Sequence, residues 1–200
     1  MSTLDCQHIF VLECSESSKS DWNYVRKLLA SKYFAMDLGR TKLTPLYLGG
    51  KTNYSSLDVK KRIDDCANRY CGKTYIHFVF DVDRGLTKDR SLNQQIVAYI
   101  EGLTFPKKAK ADIIWFNKTI ELVVLGRPVA EGRKVQMSEH FYTQGAYELN
   151  EKNFLALFGE GLCAPGHSNF LTVLFTSIPI GKKAMPLVES LSNSKRKHRH

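Results

Sequence analysis

The chain has 200 residues, 43% of them hydrophobic and 24% charged, with a formal net charge of +9. That length suits one domain with an appendage, the balance is that of an ordinary soluble globular protein, and the charge points to an acidic partner, nucleic acid ahead of anionic membrane. No apolar stretch approaches the ~18 residues that a spanning helix needs, so the sequence argues against a membrane protein.

Cys6, Cys14, Cys66, Cys71 and Cys163 form no CxxC pair. The amino terminus has no basic segment leading into a long apolar run. Neither a disulfide framework nor secretion is indicated, and a reduced cytoplasmic protein is the expectation. Cys163 and His167 have no second pair at metal-ligand spacing, which argues against a structural zinc site.

In chain order, HIFVLEC at 8–14 reads as a first buried strand ending on Glu13. SESSKSD then offers helix N-caps before WNYVRKLLASKYF, whose apolar residues recur at helical spacing. Leu43 to Leu48 is a second strand, closed by Gly49 and Gly50. Ser55 to Cys71 reads as a helix ended by Gly72. Thr74 to Gly85, TYIHFVFDVDRG, is the central stretch: an apolar run suited to a strand buried on both faces of a parallel sheet, ending on Asp81 and Asp83.

Lys88 to Leu103 has the pattern of a third helix, with Leu92, Ile96, Val97 and Ile100 on one side. ADIIWF at 111–116 is a fourth strand, Asn117 a cap, and a helix is expected from near Lys118 with Glu121 in its first turn. Pro128 to Gly145 shows charge and turn formers but no element. Glu151 to Phe158 reads as a short helix, Phe170 to Ile178 as an apolar run of open type, and Pro186 to Leu191 as the start of a last helix. SKRKHRH at 194–200, which includes Lys195, Arg196 and Lys197, reads equally as a flexible phosphate-attracting tail or as a localisation feature, with no catalytic role.

This alternation predicts an α/β fold with a mostly parallel central sheet flanked by helices. Residues 1–127 form the α/β domain, 128–192 a C-terminal accessory layer or cap, and 193–200 the basic tail. Open α/β sheets bind ligands outside the carboxyl ends of their strands. If the first and third strands are neighbours, Glu13, Asp81 and Asp83 meet there, and a divalent cation resolves their repulsion. On its own, DVDRG also reads as a polar turn in which Arg84 neutralises the aspartates and Gly85 supplies a positive φ.

Lys73 and Arg84 flank the strand, where they either touch phosphate or neutralise carboxylates. Glu121 is either a helix-dipole carboxylate or a residue that supports the metal ligands. His77 reads as a hydrogen-bonded core histidine, and Trp22 and Trp115 as core residues.

A glutamate closing one strand, DxD closing a later one and an alternating α/β frame together resemble the Toprim fold of topoisomerases, primases and overcoming-lysogenization-defect nucleases. Within that fold the chain is most similar to the RloB-like proteins of bacterial defence and restriction loci. Their TE-x-x-Y helix start is matched by Ser20-Asp21 with Tyr24. Their SNP-x-FE-x-W-x-L-L segment is matched by Phe116-Asn117 through Ile120-Glu121 to Leu122 and Leu125, and PLVESL at 186–191 resembles their LVE-x-L ending. Cys14 stands where Toprim proteins usually carry glycine.

The resemblance implies a Mg- or Mn-dependent nuclease of bacterial or phage defence, with Glu13, Asp81 and Asp83 as metal ligands and Glu121 as a further catalytic residue. DNA or RNA is the implied substrate and an ATPase the implied partner protein; on physical grounds Lys73, Arg84 and the basic tail are the candidate phosphate contacts. The alternative is a non-catalytic Toprim-like subunit that binds nucleic acid or a partner protein.

Overall fold

The computed structural model describes residues 6–31, 34, 36, 39–82, 90–144, 151–159, 166–179, 185, 186 and 188. Its centre is four parallel strands, β1 (Cys6–Leu12), β2 (Thr41–Tyr47), β3 (Lys73–Val82) and β4 (Lys110–Asn117), in the order β2-β1-β3-β4. The α/β architecture with a parallel central sheet is the one expected, and it is consistent with a Toprim-like fold. β1 and β3 occupy the middle, and from Gln7 to Leu12 every residue of β1 is buried, as a strand covered by helices on both faces must be. β2 lies at an edge, where Pro45 costs no ladder hydrogen bond.

Alternation along the strands divides the core in two. Ile9, Val11, Ile76, Phe78 and Phe80 pack on one face against α2 (Leu57–Asn68) and α3 (Arg90–Glu101). Phe10, Leu12, Val79, Ile114 and Phe116 face the other way, under α1 (Ser20–Leu29) and α4 (Ile120–Leu125). The same layer takes in Phe141 of α5 (Lys134–Thr143), Phe154 of α6 (Glu151–Ala156) and Phe170 of α7 (Phe170–Leu174). The described residues after 128 therefore pack back onto the sheet through one continuous apolar core.

Several local expectations give way. α1 starts from Lys19 in a left-handed conformation (φ 50) with no side-chain cap, so none of the serines serves. α2 ends at Asn68, four residues before Gly72. Asn117 is the last residue of β4, and Thr119 caps α4 by accepting from the Leu122 amide at 3.3 Å. α5 occupies a stretch in which no element was expected, and Phe170–Leu174 proves helical. Asp83, Arg84, Gly85, Cys163, most of the 186–191 segment and the basic tail lie outside the described residues.

His77 is fully buried, and its Nε2 lies 2.9 Å from Nδ1 of His8, itself buried. Trp22 and Trp115 are also core residues, as expected.

Candidate functional site

From β1 the chain crosses to β2 at one edge, then returns past β1 to form β3 on its other side. The crossovers therefore diverge between β1 and β3, which opens a crevice beyond the carboxyl ends of those two strands. Glu13 follows β1 directly, and Asp81 sits at the end of β3. The Glu13 Oε2 accepts the Asp81 amide at 3.2 Å, so the two chain ends are tied together where the crevice begins.

Two further carboxylates are brought in by helices. Asp21, in the first turn of α1, accepts the Cys14 amide through Oδ2 at 2.9 Å and the Ser20 hydroxyl through Oδ1 at 3.1 Å. Asp81 Oδ1 accepts the Ile120 amide at 2.9 Å, which fixes the start of α4 and places Glu121 beside the crevice. These four side chains line one cavity of about 290 Å³, together with Lys134 at the start of α5 and Glu131 from the turn before it.

Gly49 (φ 67) and Gly50 (φ 138) close the cavity from the loop after β2, their amides donating to the Cys14 and Glu13 carbonyls at 3.2 and 2.9 Å. The Cys14 amide is committed to Asp21. Burial, reinforced by Asp21, pushes the Cys14 thiol up to about 12, so without a bound cation it is not a thiolate nucleophile at neutral pH.

Carboxylates outnumber cations in this cavity. Glu121 is 2% exposed, and its Oε2 has no hydrogen-bond partner among the described residues. Burial is the main cause that raises its pKa, and Asp21 raises it further, against the lowering effects of Thr119 and Lys134. Burial raises Asp21 too, against its hydrogen bonds to Cys14 and Ser20. Lys134 pairs with Glu131 at 3.0 Å. Burial pulls its ammonium down, but Glu131, Glu121 and Asp81 together hold its pKa above the ordinary lysine value. Lys51 donates to the Asp81 carbonyl at 2.6 Å rather than to a carboxylate.

No family model, curated protein or solved structure matches this chain. The site therefore has to be read from its own chemistry. Oxygen-only donors suit a hard divalent cation such as magnesium or manganese, and the unanswered Oε2 of Glu121 is a donor of that kind. Among the described residues, no three Asp, Glu, His or Cys side chains are grouped so as to hold a metal ion. Asp83, the remaining ligand implied by the sequence, lies outside them.

Of the predicted residues, Glu13, Asp81 and Glu121 come together. Lys73 does not: it is the exposed first residue of β3, about 25 Å from Asp81 at ~3.3 Å per residue, and belongs to the opposite end of the sheet. Asp21, Lys51, Glu131 and Lys134 were not among the predicted site residues. The Glu131 to Lys134 spacing of three was visible in the sequence, but its tie to the carboxylates depends on α5 packing against α1.

Thr119 connects this geometry to stability. Thr119→Ala is expected to cost about 1 kcal/mol by removing the cap of α4, measurable by urea denaturation, and an unchanged midpoint would show that Asp81 alone holds the start of that helix.

Proposed function

We propose that the protein is a divalent-cation-dependent nuclease that cleaves phosphodiester bonds in DNA or RNA, acting in bacterial or phage defence in the cytoplasm. The observation that carries this reading is the meeting of Glu13, Asp21, Asp81 and Glu121 around one cavity at the β1/β3 switch point, in a chain of net charge +9.

A magnesium or manganese ion bound by Glu13, Asp81 and Asp83 would polarise a phosphoryl oxygen and lower the pKa of a bound water. The chain's own groups have separable tasks. Asp81 orients α4 through its bond to the Ile120 amide and so presents Glu121. Glu121, its pKa raised by burial, is suited to hold and release a proton. Lys134 stays protonated beside Glu121 and Glu131, where it can meet the negative charge of a phosphate.

A second reading is favoured by a different observation. Glu13 Oε2 and Asp81 Oδ1 already accept backbone amides, and no three-ligand group forms among the described residues. On that reading the chain is a Toprim-like subunit that binds nucleic acid or a partner protein, such as an ATPase, without cutting.

Titration calorimetry with manganese, paired with cleavage of single-stranded and duplex DNA and RNA, separates the two readings. Asp81→Asn is the informative variant, because an amide oxygen can still accept from Ile120. The nuclease reading expects cation binding by the wild type, its loss in Asp81→Asn, and cleavage abolished by chelator. Cleavage that survives both chelator and substitution would refute it. Wild-type protein that binds nucleic acid but neither cation nor cuts would establish the second reading.

A further inference from the structure

α4 is a wall with a cavity on each side. Glu121 lines the acidic one, whereas Leu122 and Val123 line a larger one of about 910 Å³, rimmed by Lys118, Lys152 and His167, all exposed. Lys118 follows β4 directly, and its amide donates to the Val82 carbonyl at 3.1 Å, one residue beyond Asp81. It is held there at φ 74, in the left-handed region that residues with a side chain seldom adopt. The two cavities thus share a helix and the same edge of the sheet, but have opposite charge and different floors.

We infer that the larger cavity is a nucleotide subsite, which takes one unstacked base with its phosphate from a single strand whose neighbouring phosphodiester lies at the carboxylates. The acidic cavity is of a size for a cation and a phosphate, and its charge repels the phosphates on either side. Those phosphates need a basic rim, which Lys118 and Lys152 supply on the other side of α4. Leu122, Val123 and Leu155 give an apolar floor for the base, and the volume lies in the ordinary range of ligand sites. A base can enter only when it has left a duplex stack, so the subsite selects single-stranded nucleic acid. The scissile position rests on the nuclease reading above; the nucleotide site itself does not.

The test is fluorescence anisotropy of a fluorescein-labelled ten-residue oligothymidylate, single-stranded or annealed, in excess EDTA so that no cleavage intervenes. The wild type is expected to bind the single strand at least tenfold more tightly than the duplex. Lys118→Ala with Lys152→Ala is expected to weaken single-strand binding at least tenfold and to lower the slope of log affinity against log salt by about 1.4, as loss of two phosphate contacts requires. Lys61→Ala with Arg69→Ala removes the same charge from the exposed face of α2 and is expected to change binding less than twofold. Thymidine monophosphate should displace the probe at concentrations at which inorganic phosphate does not.

Equal weakening by the two double variants, equal affinity for duplex, or absence of wild-type binding would each overturn the subsite. Asp81→Asn keeps the two proposals distinct. Binding retained by that variant, in a protein that never cuts, removes the nuclease reading and leaves the subsite. Cleavage with normal binding by the Lys118 and Lys152 variant does the reverse.

Discussion

Glu121→Gln is expected to make the protein more stable and, on the nuclease reading, to lower cation-dependent cleavage at least a hundredfold. The carboxylate is 2% exposed with one oxygen unanswered, and a buried polar group left unsatisfied costs about 1 to 3 kcal/mol, more when charged. Because burial raises its folded pKa, Glu121 contributes stability that is present below the unfolded carboxylate range and lost as pH rises through the folded value. At pH 7.5 the glutamine should therefore raise the melting temperature by roughly 3 °C for each kcal/mol released, and the gain should shrink toward pH 4. Manganese should raise the melting temperature of wild type and variant alike, because Glu13, Asp81 and Asp83 are unchanged. A residue retained at a cost to folding has a use elsewhere. A variant that is less stable at pH 7.5, or that cleaves as the wild type does, would make Glu121 a structural carboxylate.

The parts of this site that the sequence revealed are those that strand periodicity exposes. Glu13 and Asp81 each close an apolar run, so their position at the carboxyl ends of strands could be read directly. That β1 and β3 are neighbours could not, because strand order is set by crossovers that leave no local trace. Glu121 was ambiguous for a related reason. Its place in the first turn of a helix is local, whereas its burial depends on the Asp81 bond to Ile120 and on Thr119, which arrive from different parts of the chain.

α5 was invisible because it carries little amphipathic signal. Of KVQMSEHFYT only Ser138 and Phe141 are buried, and Val135 is 42% exposed, so the helix owes its place to α1 rather than to a continuous apolar stripe. With α5 went Lys134, the cation that faces the carboxylates. Thr119 outcompeted Asn117 as a cap because the latter is still paired in β4 with Val82.

The buried pair His8 and His77 makes the second large prediction, and its sign is opposite to that of Glu121. Burial pulls His8 down to about 4, and His77, fully buried and also opposed by His8, lies well below its ordinary value. Depressed folded values mean that the unfolded chain takes up protons first as pH falls. Stability from the pair is complete above the unfolded value of 6.5 and is lost progressively toward pH 4. For His8 alone the loss is about 2 kcal/mol at pH 5 and about 3 kcal/mol when titration is complete.

Asp21, Asp112 and Glu121, all raised by burial, regain stability over part of that range, so the wild-type curve alone mixes two signs. The difference between wild type and a His8→Phe, His77→Leu double variant removes the carboxylates, which both proteins share. That variant suits the site, since His8 stacks on Tyr75 at 5.0 Å and the His77 ring lies 5.0 Å from that of Phe10. Urea denaturation at pH 7.5 and pH 5.0 should show the variant's advantage growing by about 2 kcal/mol or more on acidification. An advantage that is the same at both pH values would mean that the pair is hydrated when folded and takes up protons as readily as in the unfolded chain, and the burial of two imidazoles side by side between β1 and β3 would then have no pH-dependent consequence.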